Sequence, residues 1–155
     1  MNTPAAQVRI ATASRQHLIE FFWEFCAQLE RLKESERLQQ IKTGVSVDLV
    51  EATRATFNLT DDQVSMVFNA SLSTLNRWRN AKKNLDQVAS ERLDRIAGVC
   101  LHAESVFASR ANVSRWMSAE NLSCGHCSPV MLCLTEIGAK QVRRVLYALE
   151  WGGVA

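Results

Sequence analysis

Proline and glycine are scarce in this chain, two and six respectively in 155 residues, too few to punctuate a protein made of many short strands and tight turns. No stretch approaches the roughly 18 consecutive apolar residues a membrane-spanning helix needs. The first 14 residues have no apolar core behind a basic start, so no secretory signal is expected. Charge of one sign is also missing: 18 basic against 16 acidic residues leave a formal charge of +2. Nucleic-acid binding therefore cannot be argued from net charge and would have to come from local clustering. The five cysteines, an odd number, are scattered through helical patterns and fit reduced thiols in the cytoplasm better than a disulfide framework. There is no phosphate loop, no dinucleotide fingerprint and no zinc-binding helix motif. The histidines, His17, His102 and His126, stand beside no obvious nucleophile. No catalytic residue and no cofactor is expected.

What the chain does have is 47% hydrophobic residues, enough for one generous core or two small modules sharing one. The expected fold class is all-α, with an N-terminal amphipathic helix, a helix-turn-helix bundle and a small helical C-terminal domain. Residues 59–80 carry the helix-turn-helix. Thr60 suits an N-cap, Gln63 stands three residues on to complete a capping box, and Leu59 and Val64 occupy the staple positions. Val64 and Phe68 point inward, Ser65 leaves room for a second helix, and Asn69 tolerates the left-handed conformation of the corner. Ser71 then caps a second helix whose Leu75 and Trp78, with Ala70 before it, return to Val64 and Phe68.

The N-terminal part of such a second helix enters the major groove, where Ser71, Ser73, Asn76 and Arg77 would face base edges and phosphates. Arg77, Arg79, Lys82 and Lys83 form a basic cluster suited to the phosphate backbone. Taken alone, that cluster reads as a solvated helix face. The capping box, the small residue, the Asn corner and the apolar spacing together argue for the motif.

Along the rest of the chain, residues 1–13 are small and polar and are expected to be a flexible N-terminus. An amphipathic helix is predicted from Ser14 to about Lys33, with Leu18, Phe21, Phe22, Phe25, Leu29 and Leu32 in its stripe and Ile19, Trp23 and Cys26 widening it. Within a 14–40 segment it packs on the core or pairs with its twin in a homodimer. Lys33 to Gln40 reads as helix end or connector. Gly44 and Ser46 mark a break and a new N-cap before a helix carrying Val47, Leu49, Val50 and Phe57. A long helix follows Leu85 and Asp86 to about Ser109, burying Val88, Leu93, Ile96, Val99, Cys100, Ala103, Val106 and Phe107. Its length suggests that it is shared with the C-terminal domain. Trp116 and Met117 anchor a broken stretch. A final helix is expected from Pro129, pausing near Thr135, continuing through Val142, Val145, Leu146 and Leu149, and stopping at Trp151-Gly152-Gly153.

Over residues 38–155 the order and spacing of these landmarks resemble the Xre/MbcA/ParS antitoxins. The matching positions are Gly44 and the helix after it, Ser-Leu-Ser-Thr-Leu-Asn-Arg-Trp-Arg at 71–79, Leu85, and Glu91-Arg92-Leu93-Asp94-Arg95. They continue with Ala103, Val106-Phe107, Ala111, Trp116, Asn121-Leu122, Gly125, Pro129, Leu132, Thr135, Gly138-Ala139, Val142, Leu146 and Trp151-Gly152. The spacing from Gly125 to Pro129 is one residue longer than the family pattern, and the N-terminal helix has no counterpart in it. The resemblance implies an Xre-like helix-turn-helix domain at 41–109 and a toxin-binding domain at 110–155. It further implies an antitoxin that neutralises a protein toxin by direct binding and represses its own operon on operator DNA. Partners in the family are RES-domain toxins that consume NAD, the favoured class here, or ParT-like ADP-ribosyltransferases.

Blocking an enzyme requires a desolvated centre anchored by a few aromatic or Arg residues. Arg143, Arg144, Tyr147, Glu150, Trp151 and Gly152 are the candidate toxin-binding residues, with the short tail after them as a segment suited to a cleft. Trp151 has a second reading, as a cap on the domain's own core. Cys124-Gly125-His126-Cys127 has the letters of a dithiol or zinc site, with Cys133 and His102 as further ligands. No strand-helix framework surrounds it and the second ligand pair is missing, so the expectation is a loop without a metal. Two other readings stay open: a stand-alone transcriptional regulator whose C-terminal domain only oligomerises, and a thiol or zinc sensor built on this loop.

Overall fold

The computed structural model describes the chain from Pro4 to Gly152, with side chains described from Ser14 onward. It is all-helical, as expected, and among the described residues only two isolated β-bridges interrupt the helices. Helix α1 (Pro4–Arg31) begins well before Ser14, so the stretch expected to be a flexible N-terminus is helical from Pro4. Proline is tolerated at a first helical position, and the alanines at 5, 6, 11 and 13 favour continuation. Phe22, Trp23, Phe25, Cys26 and Leu29 are buried within the chain, and α1 lies against α3 and α6. The Phe22 ring meets Phe57 edge to face at a centroid distance of 5.2 Å.

The polar run after α1 is a helix in its own right, α2 (Glu34–Thr43), although it buries no residue. Glu36 accepts from the Lys33 backbone N–H at 2.7 Å to start it. Arg37 forks onto Asp94 with bonds of 3.1 and 2.7 Å, tying α2 to α6. Gly44 (φ 90°) then carries the chain past the 84–85 segment so closely that an added Cβ would sit 2.2 Å from the Leu85 carbonyl oxygen. That approach lets the Leu85 N–H donate to the Val45 carbonyl at 2.8 Å. The Val45 N–H donates to the buried Ser90 hydroxyl at 3.1 Å.

Ser46 does not cap the next helix directly. Its hydroxyl accepts from the Asp48 N–H at 3.2 Å in a local turn, and α3 (Leu49–Phe57) starts after Asp48. Helices α4 (Asp61–Phe68) and α5 (Leu72–Asn80) follow, then α6 (Gln87–Phe107), capped by Asp86, which accepts from the Ala89 N–H at 2.9 Å. Val88 was expected on the buried side but is 45% exposed. Ala89, Ser90 and Leu93 turn inward in the first turns of α6 instead.

Helix α7 (Arg110–Ser118) buries Val113 and Met117, and Trp116 packs on Phe107 at 5.5 Å. After a 3-10 turn (Leu122–Cys124) come α8 (Pro129–Leu132) and α9 (Glu136–Glu150), with the expected pause at Thr135, which caps α9 by accepting from the Gly138 N–H at 3.0 Å. Helix α9 lies on α6 and α8 through Ala139, Val142 and Leu146, all fully buried. Arg95 of α6 donates to the Cys133 carbonyl at 3.0 Å and so fixes the end of α8.

Candidate functional site

The α4–α5 unit forms as its local chemistry dictates. The Thr60 hydroxyl accepts from the Gln63 N–H at 3.2 Å while the Gln63 side chain accepts from the Thr60 N–H at 2.9 Å. Asn69 occupies the corner in the left-handed region (φ 51°, ψ 40°), and the Ala70 N–H closes the end of α4 on the Ser65 carbonyl at 3.2 Å. Val64, Val67, Phe68 and Leu75 are buried between the two helices and the rest of the core. Arg92 of α6 donates to the Met66 carbonyl at 2.6 Å, holding the end of α4 from behind.

Ser73, Asn76 and Arg77 are exposed together on α5. Asn80, exposed as well, shares their face because it follows Ser73 by seven residues, about two turns. That spacing is the signal in the sequence that would have added it to the set. Ser71 is exposed but its hydroxyl is engaged, accepting from the Thr74 N–H at 3.1 Å and donating to the Thr74 hydroxyl at 2.9 Å. Lys82 and Lys83 are exposed at the end of the helix, where Lys82 takes a left-handed conformation (φ 52°). The Lys83 N–H donates to the Trp78 carbonyl at 2.9 Å.

Arg79 differs from its neighbours in the basic cluster. Its guanidinium donates to Glu51 of α3 at 2.9 Å, and Glu51 also faces Arg54, which bonds Asp61 at 2.6 Å. Arg79 thus belongs to an ion-pair chain linking α3, α4 and α5. Beside Lys82 and Lys83 a cleft of about 330 Å³ is lined further by Ser46, Asp48 and Asn84.

The candidate toxin-binding residues near the C-terminus fall into two groups. Trp151 is 85% exposed and does not cap the core, and Tyr147 is 53% exposed. Ile137, Arg144 and Trp151 follow at seven-residue intervals, which places them within about 40° of one another around the helix. Ile137 is 76% exposed, Lys140 is exposed about one turn further on and Ala148 about three turns further on. The outward stripe of α9 therefore begins at the start of the helix, well before Arg143.

Arg143 and Glu150 lie on the flank that meets α6, and the half-exposed Tyr147 stands between that flank and the outward stripe. Glu150 stands 3.7 Å from His102 Nε2, and the His102 ring packs on Tyr147 at 4.5 Å. Arg143 lies against Gly98 and 4.0 Å from Glu136. Gly152 is exposed with φ 82°. The tail beyond it, 153–155, lies outside the described residues.

All five cysteines are free thiols. Burial pushes Cys26 and Cys100 well up from the usual thiol range and Cys133 to about 12. Cys124 is raised by burial first and by Cys127 second. These shifts run opposite to those of an activated thiolate. Among the described residues no three His, Cys, Asp or Glu side chains come together as a metal would require, and none of the helices is long and apolar enough to cross a membrane.

Two families match the chain, one after the other. An antitoxin Xre-like helix-turn-helix domain matches residues 36–98, and an antitoxin Xre/MbcA/ParS C-terminal toxin-binding domain matches residues 102–152. The chain is also 28% identical over 116 residues to Antitoxin Xre of Yersinia enterocolitica serotype O:8 / biotype 1B, covering 74% of this chain and 78% of that protein. The two matches meet inside α6, in keeping with a helix shared by both domains. Both describe binding modules and neither describes an enzyme. With α4 and α5 forming the helix-turn-helix and α7 to α9 packed on the end of α6, the chain belongs to the Xre/MbcA/ParS family of antitoxins of toxin-antitoxin systems.

Proposed function

We propose that this antitoxin neutralises a RES-type, NAD-consuming toxin through the outward stripe of α9 and represses its own operon through α5. The toxin-binding unit is placed at 110–155 and the DNA-binding unit at 41–109, working as a homodimer in the cytoplasm. The observation that carries the first half is Trp151. A tryptophan 85% exposed at the end of a stripe holding Ile137, Arg144 and Tyr147 is what an anchor awaiting a partner looks like. Arg143 and Glu150, held on the α6 flank, would form the rim of that interface. Support for the second half is the outward set Ser73, Asn76, Arg77 and Asn80, with Lys82 and Lys83 for phosphates and Ser71 as cap. Arg79 contributes by bracing α5 against α3, and reaches phosphate only by giving up Glu51. The twofold arrangement follows from the half-site geometry of helix-turn-helix proteins.

Co-purification with the product of the adjacent gene tests the reading. A complex formed by the full chain, lost after truncation at Leu149 and weakened by about 2 kcal/mol or more in Trp151→Ala, is the expected result. NAD breakdown by the freed partner with no ADP-ribose left on any protein identifies the RES class, and ADP-ribose transferred covalently to a protein acceptor, with one nicotinamide released per transfer, identifies a ParT-like one. If no complex forms with the full chain, the protein is a stand-alone regulator and α7 to α9 serve oligomerisation.

A further inference from the structure

The stripe of α9 and the face of α5 proposed above do not include the loop between the 3-10 turn and α8, yet its geometry is specific. Gly125 (φ 67°, ψ 35°) and His126 (φ 63°) are consecutive left-handed residues, the backbone of a type I′ turn. The Cys127 N–H donates to the Cys124 carbonyl at 3.3 Å and closes that turn. Asn121 pairs with Cys127 across its base, the Asn121 N–H donating to the Cys127 carbonyl at 3.2 Å. Glycine suits the first of these positions, and histidine is among the non-glycine residues enriched at positive φ, so residue preference and these bonds act together.

A β-turn brings its first and fourth Cα atoms within about 7 Å, and a disulfide spans roughly 4.4 to 6.8 Å between Cα atoms. The two thiols at the ends of this turn differ in access: Cys127 is exposed and Cys124 is buried, as are Cys26, Cys100 and Cys133. They are close neighbours: Cys127 contributes to raising Cys124. No third ligand completes a metal site among the described residues, which leaves the pair to sulfur chemistry.

We propose that Cys124 and Cys127 are a dithiol modification site, at which a small-molecule disulfide oxidant closes an intrachain disulfide. The Cys127 thiolate attacks one sulfur of oxidised glutathione, forming a mixed disulfide and releasing one glutathione thiolate, which takes a proton from water. Cys124 loses its proton to solvent and attacks the Cys127 sulfur, expelling the second glutathione. Two protein thiols are oxidised and one glutathione disulfide is reduced to two thiols. Cys127 is the entry thiol because it is exposed. Cys124 is the resolving thiol because burial shields it from the oxidant but not from its neighbour.

The test is incubation of the full folded chain with oxidised glutathione, followed by denaturation, alkylation of the remaining thiols and peptide mapping. The expected result is a 124–127 peptide lighter by two hydrogens and unalkylated, with Cys26, Cys100 and Cys133 alkylated. Cys127→Ser, at an exposed position, should leave the remaining thiols unoxidised, and Cys124→Ser should stop at one glutathione adduct on Cys127. A wild-type chain that stops at the Cys127 adduct, that pairs Cys127 with Cys133, or that stays fully reduced overturns the proposal.

Discussion

Gly44 and Gly125 both hold positive φ, but their surroundings separate them. A Cβ at Gly44 would lie 2.2 Å from the Leu85 carbonyl oxygen, whereas at Gly125 it would meet nothing within 4 Å. Gly44→Ala should therefore cost at least ~2 kcal/mol, backbone strain plus forced separation of the 44–46 and 84–85 segments. Gly125→Ala should cost only about 1 kcal/mol, the strain of a left-handed alanine; urea midpoints of the two variants check the difference. At the DNA face the contrast lies between two arginines. Arg77→Ala should weaken operator binding by about 1 to 3 kcal/mol if it reads a base, or lower the salt slope by about one if it holds a phosphate, with the urea midpoint unchanged. Arg79→Ala removes the bond to Glu51 and should lower the urea midpoint slightly as well. Binding titrations at several salt concentrations, run beside unfolding curves, separate the roles. The capping residues and the Asn69 corner could be read from the chain because their bonds are local. The Arg79–Glu51 pair, 28 residues apart, could not, because it depends on how α3 and α5 pack.

Helices α1 and α2 show which elements a sequence declares. The stripe of α1 was legible from its 3.6-residue period, but its burial against α3 and α6 rather than against another subunit was not, since the same stripe serves either. Phe22, fully buried between Trp23 and Phe57, should cost about 3 to 5 kcal/mol when replaced by alanine. A dimer interface there would make that loss depend on protein concentration; urea unfolding at two concentrations should give the same loss. Helix α2 was hidden because it buries no residue and so has no apolar period to detect; its anchor is the ion pair of Arg37 with Asp94. The outward stripe of α9 was only half legible. Tyr147 and Trp151 stand out in the sequence as aromatics near the terminus, whereas Ile137 is apolar and passes for core until Ala139 and Val142 are seen to face inward.

At the scale of the molecule, one continuous core runs from Phe22 of α1 to Leu146 of α9, crossing both family matches although α1 lies outside each of them. Three thiols belong to that core: Cys26, Cys100 and Cys133. Burial raises all three above the ordinary value of 9.0, Cys133 to about 12. In the unfolded chain the same thiols ionise near pH 9. Above that pH the unfolded state binds fewer protons than the folded one, and stability falls as pH rises. Well below that pH both states keep these protons and the thiols add no slope. At its steepest the loss approaches three protons, about 4 kcal/mol per pH unit, and it continues until the folded thiols themselves ionise. The comparison that isolates the thiols is with a Cys26→Ala, Cys133→Ala double variant. Its stability should be lower near neutral pH from lost packing yet should fall more gently as pH rises, keeping only the part of the thiol-dependent slope that Cys100 and Cys124 carry. Urea unfolding under reducing conditions between about pH 8 and pH 10.5 measures both slopes; equal slopes would mean that Cys26 and Cys133 ionise in the native state and that the core is open to water around them.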